Sequence, residues 1–426
     1  MTPLPRHLLP ETAAVYFDGR LVVGGVDMVD LAKEVGTPLF VYDEQHLRAR
    51  CREALSAWGD GVAYASKAFL CKAMAALAHE EGMHIDVATG GEAWVALKAG
   101  VPPERLILHG SNKSDAELTY ALEMGIGRIV VDSFDELDRL ERIVPDMAAV
   151  APPKVLIRVT PGVEAHTHEY VMTGQEDTKF GFSLASGAAA EAAERAGKSA
   201  AVELVGVHAH IGSQIFVTSS FVKEVEALAG FVAPLDLPEL CVGGGLGVPY
   251  VEGEDAPTIT QWADAVKQAC KDAGVPQTMR ITAEPGRSIV AAAGITLYTV
   301  GTIKHLPGIR TYVSVDGGMS DNPRPVLYGS GYEAFLPRAT DAERNMVATV
   351  VGKHCESGDI VVRDARLPSD IAVGDILCTP VTGAYGHSMA SNYNKIRRPP
   401  VVFCAFGNWR LAVRRENYDD LIRLDV

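Results

Sequence analysis

Between Asp43 and about residue 290 the chain alternates short apolar runs with stretches of helical spacing, and this rhythm constrains the fold more than any other feature. The runs at 61–67, 84–89, 106–110, 128–133, 155–161, 203–212, 239–245 and 280–289 read as strands. The intervening segments read as helices. After Asp43, a plausible N-cap, Leu47, Cys51, Leu55 and Trp58 share one helical face. Ser114/Glu117 and Ser133/Glu136 have capping-box spacing, and Gly82, Gly100, Gly125, Gly197 and Gly274 stand where helices stop. Strands joined through helices run parallel, and eight such units predict a closed (β/α)8 TIM-like barrel rather than an open sheet.

The rhythm ends after Ile289. Runs at 311–315, 346–351, 359–362, 376–380, 401–405 and 409–413, separated by Gly, Pro and Asp, read as strands of a β-rich domain. Near the N-terminus, 15–17 and 21–23 flank Asp18-Gly19, a hairpin signal because the turn needs the positive φ that Gly supplies, and 38–42 reads as a further strand. The expected organisation is therefore a barrel over 43–290 and a discontinuous β-rich domain, sandwich-like or barrel-like, formed by 1–42 and 291–426.

A chain of 426 residues that is 47% hydrophobic suits two domains with sizeable cores. With 54 acidic against 39 basic residues, a net charge of -15 disfavours nucleic acid and anionic membranes as partners and leaves a small molecule. Residues 1–18 carry no export-signal pattern, and the longest uncharged run, 288–303, is broken by glycines and threonines. Seven cysteines without CxxC spacing fit a reducing compartment, and a cytoplasmic location is expected.

Barrels place their chemistry at strand ends. Lys67 ends the first run, where a lysine is salt-bridged, snorkels, or forms a Schiff base. Gly243, Gly244 and Gly245 follow the seventh run, and glycines there let backbone N–H groups close on a phosphate. Gly286 and Arg287 lie at the eighth, beside Glu284, which could pair with Arg287 or Lys67. If the ligand is pyridoxal phosphate, a carboxylate at its ring nitrogen keeps that nitrogen protonated, which suits decarboxylation better than racemisation. His208 and His210 alternate on one strand face, as metal ligands do, but the other strand ends supply no clear ligand set and no metal is expected. A ring stacking on an aromatic ligand fits His210 better, with Ser213 reaching a phosphate and His208 hydrogen-bonded in the core. Arg324 and Tyr328, four apart, could clamp a carboxylate or simply sit at the surface. Cys355-Glu356 and Tyr385 lie in polar, glycine-containing turns.

These segments, together with 86–92 and 178–181, resemble the fold-type III pyridoxal-phosphate decarboxylases nearly end to end, most closely the branch that converts meso-2,6-diaminoheptanedioate to L-lysine and CO2. The resemblance implies that Lys67 carries pyridoxal 5'-phosphate as a Schiff base, His210 stacks on its ring and Glu284 meets its nitrogen. Ser213, Gly243, Gly244, Gly245, Gly286 and Arg287 would surround the phosphate, with Asp86 near the Lys67 end. Cys355 would donate a proton and Glu356 would bind substrate, both across the interface of a head-to-tail homodimer. Arg287, Arg324, Tyr328 and Tyr385 would complete the substrate or cofactor contacts, and a lid would lie around 166–179. Members of this family usually carry a proline shortly before the cysteine, where this chain has Gly352-Lys353-His354. Alternative readings are a relative acting on carboxynorspermidine, a D-amino acid or a carrier-bound glutamyl group, and a non-catalytic regulatory homologue.

Overall fold

A computed structural model of the chain describes residues 4–147, 151–163 and 177–426. It divides into two compact units. One runs up to Arg50 and takes in Val248–Asp255 and Ile289–Val426, and the other comprises Cys51–Gly247 and Ala256–Ser288.

The second of these units is a (β/α)8 barrel. Its strands are β1 (Ala63–Ala65), β2 (His84–Val87), β3 (Leu106–Leu108), β4 (Arg128–Val131), β5 (Lys154–Thr160), β6 (Glu203–Ala209), β7 (Glu239–Cys241) and β8 (Arg280–Thr282). Each pairs in parallel with the next, from β1 to β8. The ring is closed by backbone bonds from Ala63 N to Ala283 O at 3.0 Å and from Ala65 N to Pro285 O at 3.1 Å. Inside it, Ala63, Ile107, Val130, Leu156, Val205 and Cys241 form one buried cluster, drawn from six strands. Such a barrel is filled by side chains and leaves no pore, so a ligand must sit at its rim.

Helices alternate with the strands because local signals stop and start them. Ser114 and Glu117 form the reciprocal box at the start of Asp115–Met124, and Gly125 ends that helix at φ 71°. Two expectations need correction. Ser133 caps the helix Phe134–Ile143 one way only, because the Glu136 carboxylate turns instead to Lys113 Nζ at 2.8 Å and Asp132 N at 3.1 Å. Gly197 stops nothing; it lies inside Ala188–Lys198, whose closing residue is Ser199.

In the other unit, the 13-residue strand Gly294–Leu306 organises the sheet. Its first half pairs antiparallel with Leu39–Asp43 and Ile376–Thr379, and its second half with Arg310–Val315. Met346–Val351 and Ile360–Leu367 extend the sheet on one side, and Val401–Ala405 and Asn408–Val413 on the other. The N-terminal strand is thus held in the same sheet as strands more than 250 residues later, through registers such as Val41 opposite Ile295. The expected hairpin is present, with Ala14–Val15 paired to Leu21–Val23 and Gly19 at φ 84°. No helix among the described residues is long and apolar enough to cross a membrane.

Candidate active site

Lys67 follows β1 directly, in the single 3-10 turn Ser66–Ala68. Ser66 and Ala68 are buried and Lys67 is exposed, so the turn is anchored on both sides of an accessible side chain. Tyr64 Oη pins the far end of the turn by donating to Phe69 O at 2.7 Å.

Glu284, just beyond β8, is buried, and each of its oxygens accepts one hydrogen bond. His109 Nε2 lies 2.9 Å from Oε1 and His208 Nε2 lies 3.0 Å from Oε2. The two imidazoles meet edge to face, with centroids 4.9 Å apart. Asp86 Oδ1 lies 3.7 Å from His109 Nε2. Burial alone would push the Glu284 carboxyl up, but the His109 charge and the two imidazole donors hold it well below the usual range. Burial likewise opposes a charge on His109, yet the carboxylates of Asp86 and Glu284 raise it above its ordinary value. His208 is pushed down to about 4 by burial and is neutral near pH 7. Asp86 is raised to about 6, chiefly by burial, with the His109 charge opposing the rise. The ligating atoms of His109, His208 and Glu284 lie within 4.8 Å of one another, close enough for a cation, but they are already used in hydrogen bonds to one another.

The glycines between β7 and β8 have a geometric reason. Gly243 and Gly245 adopt φ 62° and 116°, where a side chain is strained. A Cβ on Gly244 would meet Glu284 O at 2.3 Å, and one on Gly286 would meet Ala65 O at 2.9 Å. Gly244 N donates to His210 Nδ1 at 3.2 Å, which fixes that ring, and Arg287 Nη2 donates to Ser213 Oγ at 2.9 Å. Burial, with the nearby Lys67 charge, holds the His210 imidazole well below its usual range and therefore neutral.

The β-rich unit holds the remaining expected residues. Arg324 opens the short helix Arg324–Tyr328 and is buried. Its Nη1 donates to Tyr332 Oη at 2.7 Å, and its guanidinium carbon stands 4.3 Å from the Tyr250 ring centre. Among the described residues no carboxylate pairs with it. Tyr328, at the end of the same helix, makes none of these contacts with Arg324. Tyr385 adopts φ 58°, in the loop after Ile376–Thr379. Cys355 and Glu356 are exposed. Tyr393 Oη donates to Glu356 Oε1, and the Tyr393 ring stacks on His354, with centroids 5.4 Å apart and planes at 21°. His354 is buried and bonded through Nδ1 to Asn394 Oδ1 and through Nε2 to Ser320 Oγ, both at 2.9 Å. Of the expected lid, residues 166–176 lie outside the described residues.

Comparison with known proteins assigns the family. The family model described as "Pyridoxal-dependent decarboxylase, pyridoxal binding domain" matches residues 44–291. The chain belongs to the pyridoxal-dependent decarboxylases. Its curated relatives include the diaminopimelate decarboxylase of Halalkalibacterium halodurans, 47% identical with 97% of each chain covered, and that of Bacillus subtilis, 45% identical over 96% of this chain and 95% of the other. Among solved structures, the diaminopimelate decarboxylase of M. jannaschi superposes with a TM-score of 0.90 at 33% identity, covering 98% of each chain.

The cofactor of such a decarboxylase is pyridoxal phosphate, and the barrel rim suits it. The cradle admits no Cβ at Gly244, a neutral flat ring stands at His210, a guanidinium lies at Arg287, and an ionised buried carboxylate is held at Glu284. Three residues of this decarboxylase escaped the sequence reading. His109 sits near the end of an apolar run, the same kind of position that drew attention to Lys67. Tyr250 and Tyr332 carry no such signal, because spacing along the chain says nothing of partners 74 and 8 residues from Arg324.

Proposed function

We propose that the protein decarboxylates meso-2,6-diaminoheptanedioate to L-lysine and CO2, with Lys67 holding pyridoxal phosphate. The observation that carries this reading is Arg324, a buried guanidinium flanked by Tyr250 and Tyr332 and without a carboxylate partner among the described residues. A buried cation is costly unless compensated. A substrate carboxylate supplies that compensation in bidentate geometry, and diaminoheptanedioate carries a second carboxylate at its distal end, which lysine, ornithine and arginine lack.

Bound pyridoxal phosphate supplies an electron sink for the carbanion left when CO2 departs. The roles of the chain follow from its residues. Lys67 binds the cofactor, and Glu284 holds a proton on the ring nitrogen. His210 packs on the ring, with Asp86 toward the Lys67 end. Ser213, Gly243, Gly244, Gly245, Gly286 and Arg287 bind phosphate, and Tyr385 adds a cofactor or substrate contact. Arg324 takes the distal carboxylate with Tyr328 nearby, Glu356 takes the distal ammonium, and Arg287 adds a substrate contact. Cys355 delivers a proton to the carbon that lost CO2. Cys355 and Glu356 serve the partner's site in a head-to-tail homodimer, in the cytoplasm.

The decisive assay measures CO2 released from meso-diaminoheptanedioate, lysine, ornithine and arginine in parallel. Release from the diaminoheptanedioate alone is expected. Preference for any of the other three would replace this substrate, and release from none would favour a non-catalytic homologue.

A further inference from the structure

We propose that His109 and His208 are positioning residues for the cofactor, which together keep Glu284 ionised and turned so that its free lone pairs face the pyridine nitrogen. The inference rests on the reading above that Glu284 meets that nitrogen. An ionised carboxylate offers about four acceptor positions, two on each oxygen. His109 uses one on Oε1 and His208 one on Oε2, so each oxygen keeps one for a further donor. Neither grip can rotate independently, because the two rings lie edge to face at 4.9 Å.

The two imidazoles do different things. His109, between Asp86 and Glu284, supplies charge: the two flanking carboxylates favour its protonated form, and its Nε2 is directed at Oε1. His208 supplies direction. Its Nδ1 is buried with no hydrogen-bond partner among the described residues, so the ring carries its one proton on Nε2, aimed at Oε2. The backbone of Glu284 is fixed as well, through its N–H to Gly243 O at 2.7 Å. Four constraints thus converge on one carboxylate in a buried site. A carboxylate needs such constraint in order to stay ionised there, because burial favours its neutral form. A neutral acid would offer its own proton to the ring nitrogen and would not stabilise a proton already on it.

The test reads the ring nitrogen directly. Holoenzyme is reconstituted with pyridoxal phosphate carrying ¹⁵N in the ring, and nitrogen NMR is recorded near neutral pH with cofactor content and circular dichroism as controls. A pyridinium signal is expected in the wild type. Glu284→Gln should move it downfield to the unprotonated range, and His109→Gln/His208→Gln should move it the same way with Glu284 intact. If Glu284→Gln moves the signal and the double variant does not, the positioning role is overturned while the Glu284 reading stands. If Glu284→Gln leaves it unchanged, both are overturned. A second measurement needs no variant: in ¹⁵N-histidine-labelled wild-type holoenzyme, His109 should be doubly protonated and His208 neutral with its proton on Nε2. A neutral His109, or a proton on His208 Nδ1, would overturn the inference even if the double variant failed to fold.

Discussion

Arg324 donates to the phenol oxygen of Tyr332 at 2.7 Å, an arrangement that holds the guanidinium in place without neutralising it. Truncating one partner of a buried charge pair costs about 2 to 4 kcal/mol, or roughly 30- to 700-fold. Arg324→Ala should therefore raise KM for meso-diaminoheptanedioate by that factor, and Tyr332→Phe by less. An unaffected KM would remove Arg324 from substrate binding.

Lys67 is the only residue of its turn whose side chain is exposed. Lys67→Ala should abolish the yellow absorption of the lysine-bound cofactor and its loss on borohydride treatment. A visible spectrum unchanged by the substitution would reassign the cofactor's anchor.

Cys355 is the exposed one among seven free cysteines, and the other six are buried. Loss of a positioned proton donor typically lowers turnover by about 10²- to 10⁴-fold. Cys355→Ala should lower kcat in that range with little change in KM. Under the proposed head-to-tail homodimer, mixing Lys67→Ala and Cys355→Ala subunits should restore part of the activity, since a mixed dimer would rebuild one complete shared site. No recovery on mixing would place Cys355 in its own subunit's site.

The stretch before Cys355, where the sequence resemblance led to an expected proline, is held by backbone bonds. Lys353 N donates to Gly317 O at 3.0 Å, a bond that proline could not make. Beside it, Asp359 accepts from His354 N at 2.9 Å and Met319 N at 2.7 Å. Lys353→Pro should destabilise the protein by about 1 to 3 kcal/mol, the scale of an abandoned hydrogen bond. A melting temperature equal to wild type would mean that the bond contributes nothing.

Glu224, on the helix Thr218–Val232, is fully buried, and neither carboxylate oxygen has a hydrogen-bond partner among the described residues. Burial raises its pKa well above 4.5. A folded pKa above the unfolded one means that the native state binds the extra proton. Stability is then greatest below about 4.5 and declines as pH rises toward the folded value. Glu224→Gln should remove that slope, so its melting temperature should exceed wild type increasingly as pH rises from 4.5. Glu224→Met should add about 1 to 3 kcal/mol by removing the unsatisfied group. Parallel curves for wild type and Glu224→Gln across this range would contradict the assignment.

All eight barrel strands could be read from the sequence, because a run buried on both faces is apolar throughout, as in Ile129-Val130-Val131. Their C-terminal ends could not. The run at 61–67 yields a strand over 63–65, and the run at 280–289 one over 280–282. Beyond those points regular strand gives way to the 3-10 turn that carries Lys67 and, at 283–285, to irregular backbone that still bonds to its neighbours, and composition does not register that change. Individual strand-end groups such as Lys67 and Glu284 were visible because a charged residue is rare at the end of an apolar run. Their partners were not, since His109 reaches Glu284 across 175 residues of chain. The strand Gly294–Leu306 was also missed, because its first half looks like an uncharged core run and its second half is polar.

The contact between Gly244 and the carbonyl of Glu284 has a consequence for how the protein tolerates change. The glycine turn and the carbonyl of Glu284 are in contact, so under the proposed roles the phosphate cradle and the acid are spaced by a single span of main chain. An added methyl at Gly244 would shift both fixtures at once. A change in that spacing would therefore have to begin by rebuilding this span of main chain.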